Sequence, residues 1–280
     1  VCVMKKNSYS HVGLSAPIHD GQAKTAGALK YFGDMQFPGM YYAKMVFSTV
    51  PHGIVKNINT DSAYNIDGVE KILTCFNTTK KTFCRSKVYA AEDTFMQEQL
   101  FPDVVKFVGD RVAMVIAKTP EAAKQGAECI KVEYEVLPSV VTVEAAAAAD
   151  APKIYSDGNV YQFPGISCGT PILSDDLIEI DSQISFGALH HGAMETHGCI
   201  ADYDKYNQKL TIYTPFQSVF GVMVSVADLF ELQYSNVRIL QTPMGGSFGC
   251  KQEKILEPLA AAAAMSVGDP VKVVYDREDV

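Results

Sequence analysis

The residues with the strongest chemical suggestion lie at 245–251, Gly-Gly-Ser-Phe-Gly-Cys-Lys. They follow a short apolar run at 237–241 and precede a segment of helical spacing from about 252 to 266, stopped by Gly268 with Asp269-Pro270 beyond. A strand, a glycine-rich turn and a helix in succession leave several backbone N–H groups without helical acceptors and aim them at one place, a setting that attracts anions. The spacing is neither GxGxxG nor GxxxxGKS/T, so neither a dinucleotide fingerprint nor a phosphate loop is supported. By itself the string fits a plain tight turn as well as a ligand cradle. Upstream, Thr214-Pro215 supplies a cap and a first-turn proline for another helix, which carries Val219, Val222, Val226 and Leu229 at spacings of three and four and places Gln217 in its first turn.

Other chemistry-bearing residues suggest less. His190, His191 and His197 with Glu195 match no common zinc spacing, and on a strand adjacent His190 and His191 would point to opposite faces, so packing or hydrogen bonding is expected of them. His11, His19 and His52 have no partner pattern. Asp175-Asp176 and Glu278-Asp279 fall in expected loops, where solvated charge is the usual state. Cys250 beside Lys251 at a helix start could carry an acidified thiol, but its place in the loop favours packing over nucleophilic catalysis. The seven cysteines are scattered at 2, 75, 84, 129, 168, 199 and 250 with no CxxC pair, which excludes a disulfide framework, a zinc ribbon or a plant-type iron–sulfur run within these residues.

The 280 residues carry 24 Lys+Arg against 32 Asp+Glu, a net charge of −8 that argues against a nucleic-acid partner. Apolar residues at 48% and charged residues at 20% suit an ordinary globular protein with reduced thiols and a cytoplasmic setting. No stretch approaches the roughly 18 apolar residues of a membrane span. Residues 1–10 show no signal peptide; the first residue is Val1, and the chain stops soon after an expected strand, so it reads as cut from something longer.

Elements that must position the loop can be read from periodicity. Strands are expected at 41–48, 54–60, 69–74, 111–118, 131–137, 177–186, 197–204, 209–214, 237–241 and 271–275, with helices at 62–65, 121–130, 143–149, from 215 onward and at 252–266. Thr119-Pro120 caps the helix at 121–130, giving a strand–helix–strand unit. A stretch of low hydrophobicity at 152–170, holding Asp157-Gly158, Pro164-Gly165 and Gly169, reads as a linker. The fold class is therefore mixed α+β and α/β.

The string QTPMGGSFGCKQEKILEPLAAAAA, together with TPFQSV at 214–219 and METH at 194–197, resembles the molybdenum-binding subunit of the xanthine dehydrogenase and aldehyde oxidase family. Gly13, Asp20, Lys24, Gly27, Ala28, Tyr31 and Asp34 match that family's opening pattern, as do Val108-Gly109-Asp110 and Val132 through Pro138. The resemblance covers essentially the whole chain and implies an a/b hammerhead domain at 1–138, a linker at 139–170 and the first part of a molybdenum cofactor-binding domain at 171–280. It implies a hydroxylase that oxidises a carbon beside a ring nitrogen or an aldehyde carbonyl, with oxygen from water. The cofactor would be molybdenum–molybdopterin, shared with polypeptide beyond these residues, and FAD and 2Fe–2S centres would sit on partner subunits. By that resemblance Gly246, Ser247, Phe248 and Gly249 bind the cofactor and Gln217 hydrogen-bonds a molybdenum oxo ligand, with no direct metal ligand in the chain.

That placement has a physical rationale. Helix starts after Thr214 and Cys250 would present N–H dipoles and a neutral amide to an electron-rich group without quenching its charge. Phe248 would either wall a flat heteroaromatic substrate or lie buried in the core. Two departures stand out: Ser247 replaces the usual third glycine of the loop, and Gln252 replaces a purine-binding glutamate of the animal enzymes, while still able to donate and accept. The run Lys251-Gln252-Glu253 through Glu257-Pro258 is closer to bacterial split-subunit purine dehydrogenases, which favours a purine or similar N-heterocycle. The general-base glutamate of the family has no match here, so the chain alone is expected to be inactive. Aldehyde, nicotinate or carbon monoxide oxidation and hydroxybenzoyl-CoA reduction are alternatives, as is a subunit-docking module without catalysis.

Overall fold

The computed structural model describes residues 10–85, 98–160, 168–169, 178 and 180–280. In chain order the elements are α1 (Gly21–Thr25), β1 (Tyr41–Phe47), β2 (Gly53–Asn59), α2 (Asp61–Tyr64), β3 (Val69–Thr74), β4 (Val104–Val105), β5 (Arg111–Ala117), α3 (Pro120–Cys129) and β6 (Lys131–Val136). They continue with α4 (Val143–Ala147), β7 (Gly198–Asp204), β8 (Lys209–Thr214), α5 (Val219–Phe230), β9 (Val237–Gln241), α6 (Glu257–Val267) and β10 (Val271–Val274).

One mixed sheet runs β3-β5-β1-β10-β7-β8-β9, and a second, smaller one runs β4-β2-β6. In the large sheet β1 pairs with β10 and β8 with β9 in parallel, and the other neighbours are antiparallel. Strands from both sides of the expected linker thus share one ladder, joined where Tyr41, Tyr42 and Ala43 lie opposite Val271, Lys272 and Val273.

β5, Arg-Val-Ala-Met-Val-Ile-Ala, is buried at all seven positions because it is covered on both faces. Val112, Met114 and Ile116 enter the main core, whereas Val115 meets Ala63 and Ile72, and Ala117 meets Ala122 and Ala123. A continuous apolar run is the signature of such a doubly covered strand. α3 starts as expected: Thr119 Oγ1 accepts from Ala122 N at 3.1 Å and Pro120 opens the first turn. α3 lies tight on the sheet because Gly126 has no side chain, a Cβ there coming 2.8 Å from Val115 Cγ1. α6 packs on β7 and is buried along 257–264; its alanine run lets the helix sink between sheet and α5. It ends at Gly268, whose φ of +81° is open to glycine at no steric cost.

α1 and β4 have no counterpart among the expected elements, and three expected elements differ in the structure. The helix expected from 252 begins at Glu257, because the chain before it is committed elsewhere: Lys251 O accepts from Gln217 N and Lys254 N donates to Arg85 O. α5 begins at Val219, so Gln217 precedes the helix; Phe216 O is taken by Gln241 Nε2 and Gln217 N by Lys251 O. The strand expected at 177–186 lies partly outside the described residues, and its described part, 178 and 180–186, joins no sheet. Ile178, Ile180, Ile184 and Phe186 alternate as a strand should but face solvent, since no sheet edge among the described residues lies against them to complete their hydrogen bonds.

The turn at Phe32–Asp34 fastens to this sheet. Lys272 Nζ, almost wholly buried, donates to Gly33 O and Met35 O, and the Phe32 ring lies over Gly198, where a Cβ would come within 2.2 Å of Phe32 Cζ and 3.0 Å of Val273 O. Gly198→Ala is therefore expected to cost about 1–3 kcal/mol through overpacking, read as a lower urea midpoint at unchanged slope.

Candidate functional site

Two chain crossings beyond the ends of β8 and β9 build the site. β8 ends at buried Thr214, whose Oγ1 donates to Glu257 Oε1 at 2.7 Å, and its carbonyl accepts from Thr242 N. Phe216 is buried and Gln217 emerges with an exposed side chain. Gln217 Oε1 accepts from the Ser247 hydroxyl at 2.7 Å. Ser247 is buried; its Oγ also accepts from Lys251 N at 3.1 Å, and its carbonyl takes Cys250 N and the Cys250 thiol. The structure thus brings Gln217 into contact with the 246–249 loop.

A buried charge pair holds the loop from below. Lys251 is 2% exposed and Nζ donates to Glu195 Oε2 at 2.7 Å, an oxygen that also accepts from Gly245 N at 3.0 Å. Glu195 N donates to Gly245 O in return, and the two backbones are so close that a Cβ on Gly245 would lie 2.5 Å from Glu195 Cβ. Glu195 Oε1 is buried without a described partner. Sequence reasoning weighs Glu195 only as part of a histidine metal site and misses this role; the signal available is a lysine amid glycines and apolar residues. His197 Nε2–H donates to Cys250 O at 2.8 Å, and burial pushes its pKa down, keeping the ring neutral. His190 Nδ1 accepts from Gly192 N, and among the described residues no group of three or more His, Cys, Asp or Glu side chains is placed to hold a metal ion.

The loop's conformation is special. Gly246 and Gly249 both have φ of +103°, which glycine alone adopts without strain, and between them Phe248 takes φ of +55°. For a bulky residue that left-handed state costs about 1–2 kcal/mol. The Phe248 ring is 76% exposed, so of its two expected environments the buried-core one is excluded. The N–H groups of Gly246, Ser247, Phe248 and Gly249 have no acceptor among the described residues, and neither does Gln217 Nε2. The donors come from the turn itself, not from helix starts. They are neutral donors left without a described acceptor, on a loop whose Phe248 and Gly249 are exposed and whose Ser247 is buried, and such donors suit an anionic group; Lys251, paired with Glu195, is buried and adds no exposed positive charge. Gln252 is exposed nearby and lines, with Arg85, His190, His191 and Tyr275, an open cavity of about 450 Å³.

Residues 170–280 match the molybdopterin cofactor-binding domain, which sets the class of fold. Residues 26–138 match the a/b hammerhead domain of aldehyde oxidase and xanthine dehydrogenase, and the chain belongs to that family. It is 31% identical over 267 residues to the xanthine dehydrogenase molybdenum-binding subunit of Escherichia coli O157:H7, covering 93% of this chain and 35% of the relative. It is 29% identical over 274 residues to the nicotinate dehydrogenase large molybdopterin subunit of Eubacterium barkeri, covering 97% of this chain and 63% of the relative. The aldehyde oxidoreductase of Desulfovibrio gigas superposes with a TM-score of 0.81 at 27% identity, over 93% of this chain and 30% of that one. The chain therefore spans about a third of the length of the xanthine dehydrogenase relative.

Removing one partner of the buried pair should be severe: Lys251→Met strands the Glu195 carboxylate and is expected to cost about 3–5 kcal/mol, with Glu195→Gln on the same chain restoring part of it in urea titrations. Glu257 gives a pH signature. Burial pushes its carboxyl pKa up, partly offset by the Thr214 hydroxyl, so the fold holds that proton to higher pH than the unfolded chain does. Its contribution to stability is full below the unfolded-state pKa and is lost as pH rises through the folded value. Glu257→Gln, which keeps an acceptor for Thr214, should flatten this decline across a pH series of denaturation midpoints.

Proposed function

We propose that the chain forms one side of the pterin-held molybdenum pocket of a hydroxylase acting on a purine or related N-heterocycle. The supporting observation is a set of four loop amides at 246–249 without a described partner, beside the exposed Gln217 carboxamide. The residues fit the group: neutral N–H donors stabilise an anionic ligand without a cation to trap it. When bound, that cofactor supplies two-electron oxidation with oxygen drawn from water. Gln217 offers Nε2 to an anionic acceptor on the cofactor, and the loop amides of Gly246, Ser247, Phe248 and Gly249 line its edge. Phe248 presents a ring face or edge to a flat substrate, and Gln252 donates to and accepts from its ring nitrogens and carbonyls. The names of the Escherichia coli and Eubacterium barkeri relatives, xanthine and nicotinate dehydrogenase, favour an N-heterocycle.

In this reading residues 1–138 are the hammerhead domain, 139–170 a linker and 171–280 the first part of the cofactor domain. Electrons leave to FAD and 2Fe–2S subunits, and the complex is cytoplasmic. The proton-accepting carboxylate lies outside these 280 residues, which alone do not turn over. A docking role without catalysis is favoured by one observation, the solvent-facing Ile180, Ile184, Phe186, Leu189 and Met194.

The test is cofactor retention in a host that makes molybdopterin. The wild-type chain should hold pterin and molybdenum, and Gln217→Ala, losing a hydrogen bond to an anion, should hold it roughly 10–100-fold more weakly. Equal retention by both would sink the reading, and substrate-dependent dye reduction by the chain alone would defeat its inactivity.

A further inference from the structure

The geometry points to Ser247 as a positioning residue that sets which end of the Gln217 carboxamide faces the pocket. This rests on the proposed pocket and adds to it a residue at the position where the resembling family has glycine. A carboxamide is nearly symmetric in shape, with an acceptor at one end and a donor at the other. Left to solvent, the exposed Gln217 would sample both. Ser247 biases the choice, because a flipped carboxamide would leave the hydroxyl proton without the acceptor it has in Gln217 Oε1. Its hydroxyl oxygen accepts from Lys251 N at 3.1 Å, which directs its own proton away from that N–H, and the acceptor it meets is Gln217 Oε1 at 2.7 Å. With Oε1 occupied, Nε2 is the end left over, and it has no acceptor among the described residues.

The hydroxyl is itself fixed. Ser247 is 5% exposed, its carbonyl is held by Cys250 N and Sγ, and Lys251, which donates to it, is anchored by the Glu195 pair and by Gln217 N. The relay runs from a buried ion pair through one backbone amide and one hydroxyl to one carboxamide. Its product is a directed donor, which selects an anionic or oxygen-rich face of whatever occupies the pocket and rejects a cation or an N–H donor there. Glycine at 247 would remove both hydroxyl bonds and leave the glutamine undirected.

The test uses the full chain and side-chain ¹⁵N relaxation of the Gln217 NH₂ group, with crystal structures of the same variants. Wild type and Ser247→Thr should hold the carboxamide in one orientation; Ser247→Ala and Ser247→Gly should release it, with the order parameter falling to below about 0.6. A carboxamide that stays ordered in both Ala and Gly variants, or turns mobile in the Thr variant, overturns the inference. A purely structural role would lower the denaturation midpoint while leaving this order parameter unchanged, which likewise overturns it. Gln217→Glu separates this from the pocket reading, since it keeps the acceptor for Ser247 but replaces the outward donor with an anion. Pterin retention unaffected by Gln217→Glu sinks the pocket while the Ser247 result stands by itself.

Discussion

The site depends on one buried charge pair. Lys251 is 2% exposed, and Glu195, from a segment far away in sequence, supplies the counter-charge that offsets its burial. The same carboxylate oxygen takes the Gly245 amide, so a single group neutralises the lysine and fixes the entry of the loop. From that anchor the remaining geometry is reached in short steps, through Lys251 N to Ser247 and from Ser247 to Gln217. The positive φ values at Gly246, Phe248 and Gly249 are held by these bonds against the strain they carry. What the loop leaves without a described partner is a set of neutral donors, while the Lys251 ammonium is buried against Glu195.

The sheet explains why these segments meet. β8 and β9 run parallel and adjacent, so their ends, Thr214 and Gln241, lie side by side, and the two segments leaving those ends must occupy the same region. Thr214 reaching Glu257 and Gln241 reaching Phe216 tie the two exits together. Clefts beyond the carboxyl ends of parallel strands are where open α/β sheets commonly place ligands.

Much of the scaffold is legible in the sequence because local pattern and tertiary need agree. The apolar run of β5, the alternation of β8 and the Thr119-Pro120 cap each specify one structure, and the structure adopts it. Gln217 and the 246–249 loop stand out through resemblance and spacing together. The misleading features are the boundaries of two helices: residues 252–256 and 215–218 have helical character, but their backbone groups are spent on bonds across the chain. Lys251 amid glycines and apolar residues hints at a buried cation, but its partner Glu195 lies 56 positions away and nothing beside Glu195 marks it as the anchor. The stretch 178–186 shows the converse, a strand pattern for which the described residues provide no matching edge.

The seating of β10 between β1 and β7 has a consequence for how the polypeptide could be divided. The last strand of the described chain is interior to the large sheet, not on its rim. Severing the connection at 139–170 would leave each piece with a raw, apolar strand margin, β1 on one and β10 on the other. Two such pieces made separately would be poor soluble modules but good complements, each offering the hydrogen-bonding template that the other lacks.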